Sequence, residues 1–286
     1  MSNRAMAQAR WETGLLLRNG EQLLLTMFIP ITLLIGLTLL PFGSFGPDRV
    51  SVFVPAIMAL AVISTAFTGQ AIAVAFDRRY GALKRLGATA LPVWGIIAGK
   101  ALAVVTVVFL QAILLGGIGL ALGWRPHPAG LLLGAAIIAL GTAGFVAMGL
   151  LLGGTLRAEI VLAVANLLWF VLAGLGALTV ESGAIPPALS WVARLTPSGA
   201  LTEALTQALS LSVDWFGVAV LVAWGTVSAL AAHLGGTRDV LDRGDRQRVA
   251  ELGVELAHHR RRGGRLGALL VHVDERLVDR LADAQA

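Results

Sequence analysis

Six apolar runs constrain this sequence more than any other feature, because a helix of roughly 20 apolar residues crosses about 30 Å of hydrocarbon. Charged residues make up only 14% of the 286 residues and the mean hydropathy is +0.80, whereas soluble domains carry about 25% charged residues. This composition excludes an ordinary soluble enzyme, a disordered chain and a nucleic-acid-binding domain. We therefore predict a polytopic membrane protein. The predicted spans are 23–40, 50–76, 93–122, 129–156, 160–180 and 215–234.

Basic residues predict the orientation of the spans, because short loops rich in Lys and Arg stay in the cytoplasm. They cluster before the first run and in the loop after the second, whereas the loops after the first, third and fifth runs carry one arginine each. We therefore expect a multi-pass protein of the cell (plasma) membrane with both termini cytoplasmic. The basic residues of the two inner segments are Arg4, Arg10, Arg18, Arg78, Arg79, Lys84 and Arg85.

Composition divides the chain into three parts. Residues 1–22 are predicted to form a cytoplasmic N-terminus with an interfacial helix, since 10–22 mixes apolar and charged side chains. Residues 23–235 form the six-span transmembrane domain. Residues 236–286 hold 19 of the 39 charged residues and are predicted to be a cytoplasmic helical tail with an open role. The basic run 260–262 there favours solvent or anionic lipid over nucleic acid.

The loop from Asp77 to Pro92 carries the clearest local pattern. Leu83 and Leu86 are spaced i, i+3, with Lys84 and Arg85 between them, which predicts a short amphipathic helix. From the residues alone, one alternative stays open: the basic residues only fix topology and bind lipid headgroups.

This loop resembles the cytoplasmic loop of the type-2 permeases of ABC (ATP-binding cassette) transporters. That loop typically reads acidic-Arg-acidic-x-Gly-Thr-Leu, with a further leucine three residues on and Thr-Pro after it. Arg79, Ala82 and Ala90 depart from the pattern, standing where an acid, a threonine and a proline are common. The positions that match are Asp77, Arg78, Gly81, Leu83, Leu86 and Thr89.

A second resemblance covers residues 185–205, between the fifth and sixth spans. In this family the analogous segment forms short helices that dip into the outer leaflet and return. The spacing of Leu189, Val192 and Leu195 suits a helix with one apolar face, although a surface loop of two turns is the alternative. In all, the resemblance extends over about residues 10–236.

The resemblance implies an all-α fold with six transmembrane helices, an N-terminal interfacial helix, a short cytoplasmic coupling helix and a re-entrant outer helical segment. It also implies an assembly of two permease subunits and two ATPase subunits, with ATP and magnesium bound by the ATPases. The coupling helix would dock in a groove of the ATPase. The residues that it implies for this coupling are Asp77, Arg78, Tyr80, Gly81, Leu83, Lys84, Arg85 and Leu86.

No catalytic, cofactor or metal site is predicted in this chain. The nearest string to a P-loop, 95–101, has one residue too few between its glycines and lacks the hydroxyl for magnesium. Lys100 within it is expected to extend to the inner membrane surface. The chain has no cysteine, and we find no metalloprotease or hydrolase motif in it. We therefore predict a subunit that is not itself an enzyme.

Three amides fall within the predicted spans: Gln70, Gln111 and Asn166. An unpaired amide is unfavourable in lipid, so each should bond another helix or line a translocation path. The spans show no acidic or histidine relay, which argues against an ion-coupled carrier. We predict the permease of an ATP-driven exporter for an amphiphilic or hydrophobic substrate, such as a drug-like compound or lipid. It would work with an ABC ATPase, a second permease copy or related permease, and membrane lipids. The alternative is a non-transporting scaffold or assembly factor.

Overall fold

Helices form all the regular structure in the described part of the chain, which comprises residues 13–14, 20–40, 45, 48–81, 93–180 and 186–234 of a computed structural model. This confirms the predicted all-α class. The chain divides into two units, 1–233 and 234–286, and nearly all described residues lie in the first. In chain order the helices are α1 (Gly20–Leu39), α2 (Arg49–Arg79), α3 (Val93–Ala121), α4 (Pro128–Thr155), α5 (Ala158–Leu178), α6 (Pro187–Leu195), α7 (Pro197–Leu209) and α8 (Trp215–Leu234).

Five described helices are long and apolar enough to cross a membrane: α2, the Ala98–Ala121 part of α3, α4, α5 and α8. Their bounds lie within a few residues of the predicted spans. The first predicted span corresponds to α1, whose described apolar part, Thr26–Leu39, is shorter than the other five. The count of six spans stays a prediction, and the interfacial helix of 10–22 lies almost wholly outside the described residues.

Prolines and polar caps set where several helices begin. Pro128, Pro187 and Pro197 each occupy the first turn of a helix, where a missing N–H and a fixed φ are favourable. The Thr196 hydroxyl accepts a hydrogen bond from the Gly199 N–H at 3.2 Å, and His127 Nδ1 accepts one from the Ala129 N–H at 3.2 Å. These residues interrupt an otherwise apolar chain, so it folds as separate helices.

Helix α2 lies at the centre of the bundle and packs against α1, α3, α4, α5 and α7. Close approach to α4 depends on glycine. A Cβ at Gly149 would lie 2.8 Å from the Phe67 carbonyl oxygen, and one at Gly153 would overlap the Ala71 carbonyl. The glycines four residues apart thus allow the two backbones to pack directly. Phe67 and Phe145 fill the core beside them, edge to face, with ring centroids 6.5 Å apart.

The outer segment folds as the two short helices α6 and α7. We call the end of the bundle with Asp77 and Lys100 the inner end and the end with Trp124 the outer end, following the predicted topology. Along α7, Leu201 lies against Gly141 of α4 and Leu209 lies against Gly130. Leu201, in the second turn of α7, therefore lies about 20 Å along α4 from its outer end at Pro128, given a rise of 1.5 Å per residue, and α7 runs back outward from there.

Burial of α7 rules out a surface loop. Ala200, Leu201, Ala204 and Leu205 are all essentially inaccessible, and α7 packs on α2, α4 and α5. The structure thus shows the predicted short helices, the second of them buried in the bundle; that they dip into the outer leaflet and return stays a prediction.

Candidate coupling site and buried amides

Helix α2 ends at the inner end with Asp77, Arg78 and Arg79. The chain leaves the helix at Gly81, whose φ of +70° is a left-handed conformation that glycine adopts without steric cost. The Gly81 N–H donates to the Arg78 carbonyl at 3.2 Å. The predicted coupling helix, with Leu83, Lys84, Arg85 and Leu86, lies outside the described residues.

Asp77 pairs with Lys100 of α3, with Lys100 Nζ 2.9 Å from Asp77 Oδ2. Lys100 is only 8% exposed, so it is covered by the bundle and paired there, and its reach to the inner membrane surface stays a prediction. Helices α2 and α3 run antiparallel and bring the two residues to the same depth. An ammonium in apolar surroundings is tolerated when a carboxylate pairs with it.

Arg78 points to the end of α4. Its Nη1 donates to the Gly153 carbonyl at 2.9 Å and to the Leu156 carbonyl at 3.4 Å. The last carbonyls of a helix have no partner within the helix and carry partial negative charge, so a guanidinium there is favourable. Arg78 thereby ties the inner end of α2 to the inner end of α4.

Arg79 forms an ion pair with Glu159 in the first turn of α5. The two side chains are 49% and 64% exposed, so the pair adds little stability. Arg79 stands where the family pattern has an acid, and α5 supplies the acid that faces it. Tyr80 is 67% exposed and stacks on Phe76, with ring centroids 6.0 Å apart.

These contacts define the inner cluster: Asp77, Arg78, Arg79, Lys100 and Glu159. Consecutive residues at the end of α2 contact three different helices, α3, α4 and α5. Of the sequence-predicted coupling residues, the structure therefore places Asp77 and Arg78 against the bundle and Tyr80 at its surface.

Gln111 of α3 is bonded to another helix. It is 1% exposed, and its Oε1 accepts a hydrogen bond from the Thr65 hydroxyl of α2 at 3.0 Å. A hydrogen bond to another helix is one of the two arrangements expected for an amide within a span. Its Nε2 is buried without a hydrogen-bond partner in the described structure.

Gln70 and Asn166 differ from Gln111 and from each other. Gln70 is buried, and its Nε2 has no hydrogen-bond partner among the described residues. Asn166 lies on the exposed face of α5, where its Nδ2 donates to the Leu162 carbonyl of its own helix at 2.7 Å. No hydrogen bond joins the three amides in the part of the chain that is described. Their place on a translocation path stays a prediction.

A π-helical segment, Ile63–Gly69, interrupts α2 at mid-length. Ser64 within it accepts a hydrogen bond from Trp169 Nε1 of α5 at 2.7 Å, and Thr65 bonds Gln111 of α3. Such segments often occur at functional sites. Apolar periodicity did not predict this one, although three hydroxyl residues in an apolar span, Ser64, Thr65 and Thr68, were a usable signal.

The described residues contain no group of three or more His, Asp or Glu side chains that could hold a metal ion.

Comparison with known proteins agrees with the observed fold. No curated protein matches the chain significantly. The family model of the ABC-2 type transporter matches residues 4–210, from the N-terminal segment through α7. This match covers most of the sequence, so the chain belongs to the ABC-2 type transporter family and is a transmembrane permease component of an ABC transporter.

Proposed function

We propose that this permease is part of an exporter that moves an amphiphilic or hydrophobic substrate across the plasma membrane, with energy from a separate ATPase subunit. It would assemble with a second copy of itself or a related permease, with both termini in the cytoplasm. The family assignment establishes only that the chain is a permease component of an ABC transporter. The direction of transport, the substrate class and the partners are what this proposal adds.

The inner cluster is the observation that carries the proposal. The loop of residues 82–92 begins directly after a helix end that is bonded to α3, α4 and α5. A partner that pulls on this loop moves those helix ends together, which is what a transporter driven from the cytoplasm requires. Amphipathic helices of the kind predicted at Leu83 and Leu86 dock in grooves through i, i+3 anchors.

The charge of the interior supports an apolar or amphiphilic substrate. Among the described residues the buried charged side chains are Lys100 and Asp214. Lys100 is paired with Asp77, and Asp214 accepts two hydrogen bonds of 3.0 Å from Arg194. Because each of these buried charges is already paired with an opposite charge of the chain, neither favours the passage of a highly charged polymer.

The test is co-purification with the soluble P-loop ATPase encoded nearest to this chain, followed by ATP hydrolysis and substrate efflux in vesicles. We expect Leu83→Asp/Leu86→Asp to release the ATPase, because two carboxylates in an apolar groove are unfavourable. Leu83→Met/Leu86→Met, which keeps both contacts apolar, is the matched control and should retain the ATPase.

Two results would count against the proposal, and a third outcome would call for a further variant. Equal retention of the ATPase by the Asp and Met variants would remove the coupling role of this loop. Binding of the ATPase without ATP-dependent efflux of any amphiphilic compound would favour the scaffold alternative. Loss of a monodisperse gel-filtration peak in the Asp variant alone would show that the change had acted on folding, and the single Leu83→Asp variant would then decide.

A further inference from the structure

An apolar groove of about 420 Å³ lies between α3 and α4 in the outer half of the bundle. Met58 of α2 and Leu205 of α7 form its floor, and both are buried. Ile113, Leu120 and Leu131 form its rim and are exposed, Ile113 by 70%. The groove therefore opens sideways from the bundle, toward the lipid and not toward the buried amides Gln70 and Gln111.

Small residues create this groove. Its walls are lined by Gly116 and Gly117 of α3 and by Gly134 and Ala135 of α4. A Cβ at Gly117 would meet no atom within 4 Å, so this position borders open space. At Gly119, just beyond the groove, the same addition would lie 2.7 Å from Val54 Cγ2. Helices α2 and α3 are thus closely packed at Gly119, whereas Gly117 borders the open space of the groove.

The dimensions of the groove match one leaflet of a bilayer. Its lining runs along α3 from Phe109 to Leu120, which is about 16 Å at 1.5 Å per residue. Half of a hydrocarbon core of about 30 Å is about 15 Å. The groove thus extends from the outer membrane surface to about the bilayer midplane, as an extended acyl chain does.

A cation lies at the mouth of the groove. Arg125 is exposed, and its Nη1 donates to the carbonyls of Leu120 and Trp124, which line the groove, at 3.4 and 3.2 Å. In the described structure its Nη2 and Nε make no hydrogen bond, and a guanidinium binds phosphate through such paired donors. Charge and apolar surface are thus arranged as in a phospholipid, headgroup outside and chain inside.

We infer that this groove binds one acyl chain of a phospholipid from the outer leaflet, with the lipid phosphate on Arg125. The occupant is a resident membrane lipid, separate from the transported substrate. The inference does not depend on ATP or on the partner ATPase, so its test uses the permease alone.

The experiment reconstitutes the full chain in phosphatidylcholine vesicles that contain phosphatidylglycerol with a photoreactive diazirine in its acyl chain. After illumination, peptide mass spectrometry locates the cross-links. We expect labelling of the floor residues Met58 and Leu205, which lipid around the bundle does not reach because both are buried.

Two variants make the labelling specific. Gly117→Leu fills the groove, and we expect it to abolish the floor labelling. Gly174→Leu on α5 is the matched control, since a side chain there also meets nothing within 4 Å, and it should leave the labelling intact. Leucine has the higher helix propensity, so neither change should disturb the helix.

Arg125→Gln tests the headgroup contact. We expect the lipid concentration for half-maximal floor labelling to rise about tenfold, the effect of one lost charge-assisted hydrogen bond. In Arg125→Lys this half-maximal lipid concentration should rise less, because lysine keeps the positive charge. Unchanged floor labelling in Gly117→Leu, or labelling confined to rim residues such as Ile113, would overturn the site. Cross-links between two copies of the chain at Ile113 would show instead that a second permease covers the groove.

Discussion

Two ion pairs of the inner cluster look alike in sequence but differ in surroundings. The Lys100–Asp77 pair is largely buried, with side chains 10% and 31% exposed, whereas the Arg79–Glu159 side chains are about half exposed or more. Removing one partner of a buried pair leaves an uncompensated charge, whereas exposed pairs are weak because water screens them. The two pairs should therefore respond very differently to substitution.

We expect Lys100→Met to lower the free energy of unfolding by about 3 kcal/mol, because the Asp77 carboxylate loses its cation in apolar surroundings. Denaturant unfolding in lipid micelles measures this change. Adding Asp77→Asn should recover part of the loss, since the double variant no longer contains the unpaired charge.

Glu159→Gln is the comparison for that variant and should cost less than about 1 kcal/mol. Equal losses for Lys100→Met and Glu159→Gln would contradict the assignment of the buried pair as the stronger contact. Additive losses in the Lys100→Met/Asp77→Asn double variant would mean that the two residues do not interact.

The buried amides give a second prediction at this scale. Gln70→Leu removes a buried Nε2 that has no partner in the described structure, so the melting temperature should stay the same or rise. Gln111→Leu breaks the bond to Thr65 and should cost about 0.6 kcal/mol, the average for such bonds in membranes. If Gln70 lines the path, Gln70→Leu changes transport with no loss of stability; unchanged transport would remove it from the path.

At the scale of elements, the contact between α2 and α4 depends on the absence of side chains. Gly149 and Gly153 face the backbone of α2, so α4 lies close enough for Arg78 to reach its last carbonyls. Apolar periodicity and prolines predicted where these helices begin and end, because those signals are local. Periodicity and prolines did not predict the π segment of α2. Its hydroxyl groups bond α3 and α5, so it depends on residues that are distant in sequence.

Gly149→Leu should destabilise the protein by about 2 kcal/mol, because the new side chain separates α4 from α2. Gly154→Leu on the same helix is the matched control, since a Cβ there meets nothing within 4 Å. Thermal unfolding of both variants in lipid nanodiscs compares them. A loss of similar size in the two would show that helix packing at Gly149 is not the cause.

At the scale of the whole molecule, the predicted topology places the inner cluster in the cytoplasm and Trp124 outside. The basic loops that predict it are read from composition alone, because charge bias acts on whole loops rather than on particular contacts. In the described structure α2 and α3 meet through Asp77 and Lys100 at one end, and α6 packs on α7 toward the other; which end is cytoplasmic stays a prediction.

Single cysteines test the topology directly, because the natural chain contains none. We expect Tyr80→Cys to react with a membrane-impermeant maleimide only after cells are permeabilised, and Val213→Cys to react in intact cells. Both side chains are exposed in the structure, by 67% and 38%, so burial in the protein prevents the reaction of neither. The reverse pattern would invert the predicted orientation.

The sequence by itself determined that the chain is a helical membrane protein and where most of its helices begin and end, and its loop motifs resembled this family; which loop faces the cytoplasm stays a prediction from it. The helices follow from local composition and prolines, the predicted orientation from charge bias and the family from short motifs, and none of these needs knowledge of which helices are neighbours. Only the tertiary structure decided that Lys100 pairs with Asp77, that Arg78 binds the end of α4, and that a groove lies between α3 and α4. Each of these depends on residues far apart in sequence that become adjacent only when the helices pack.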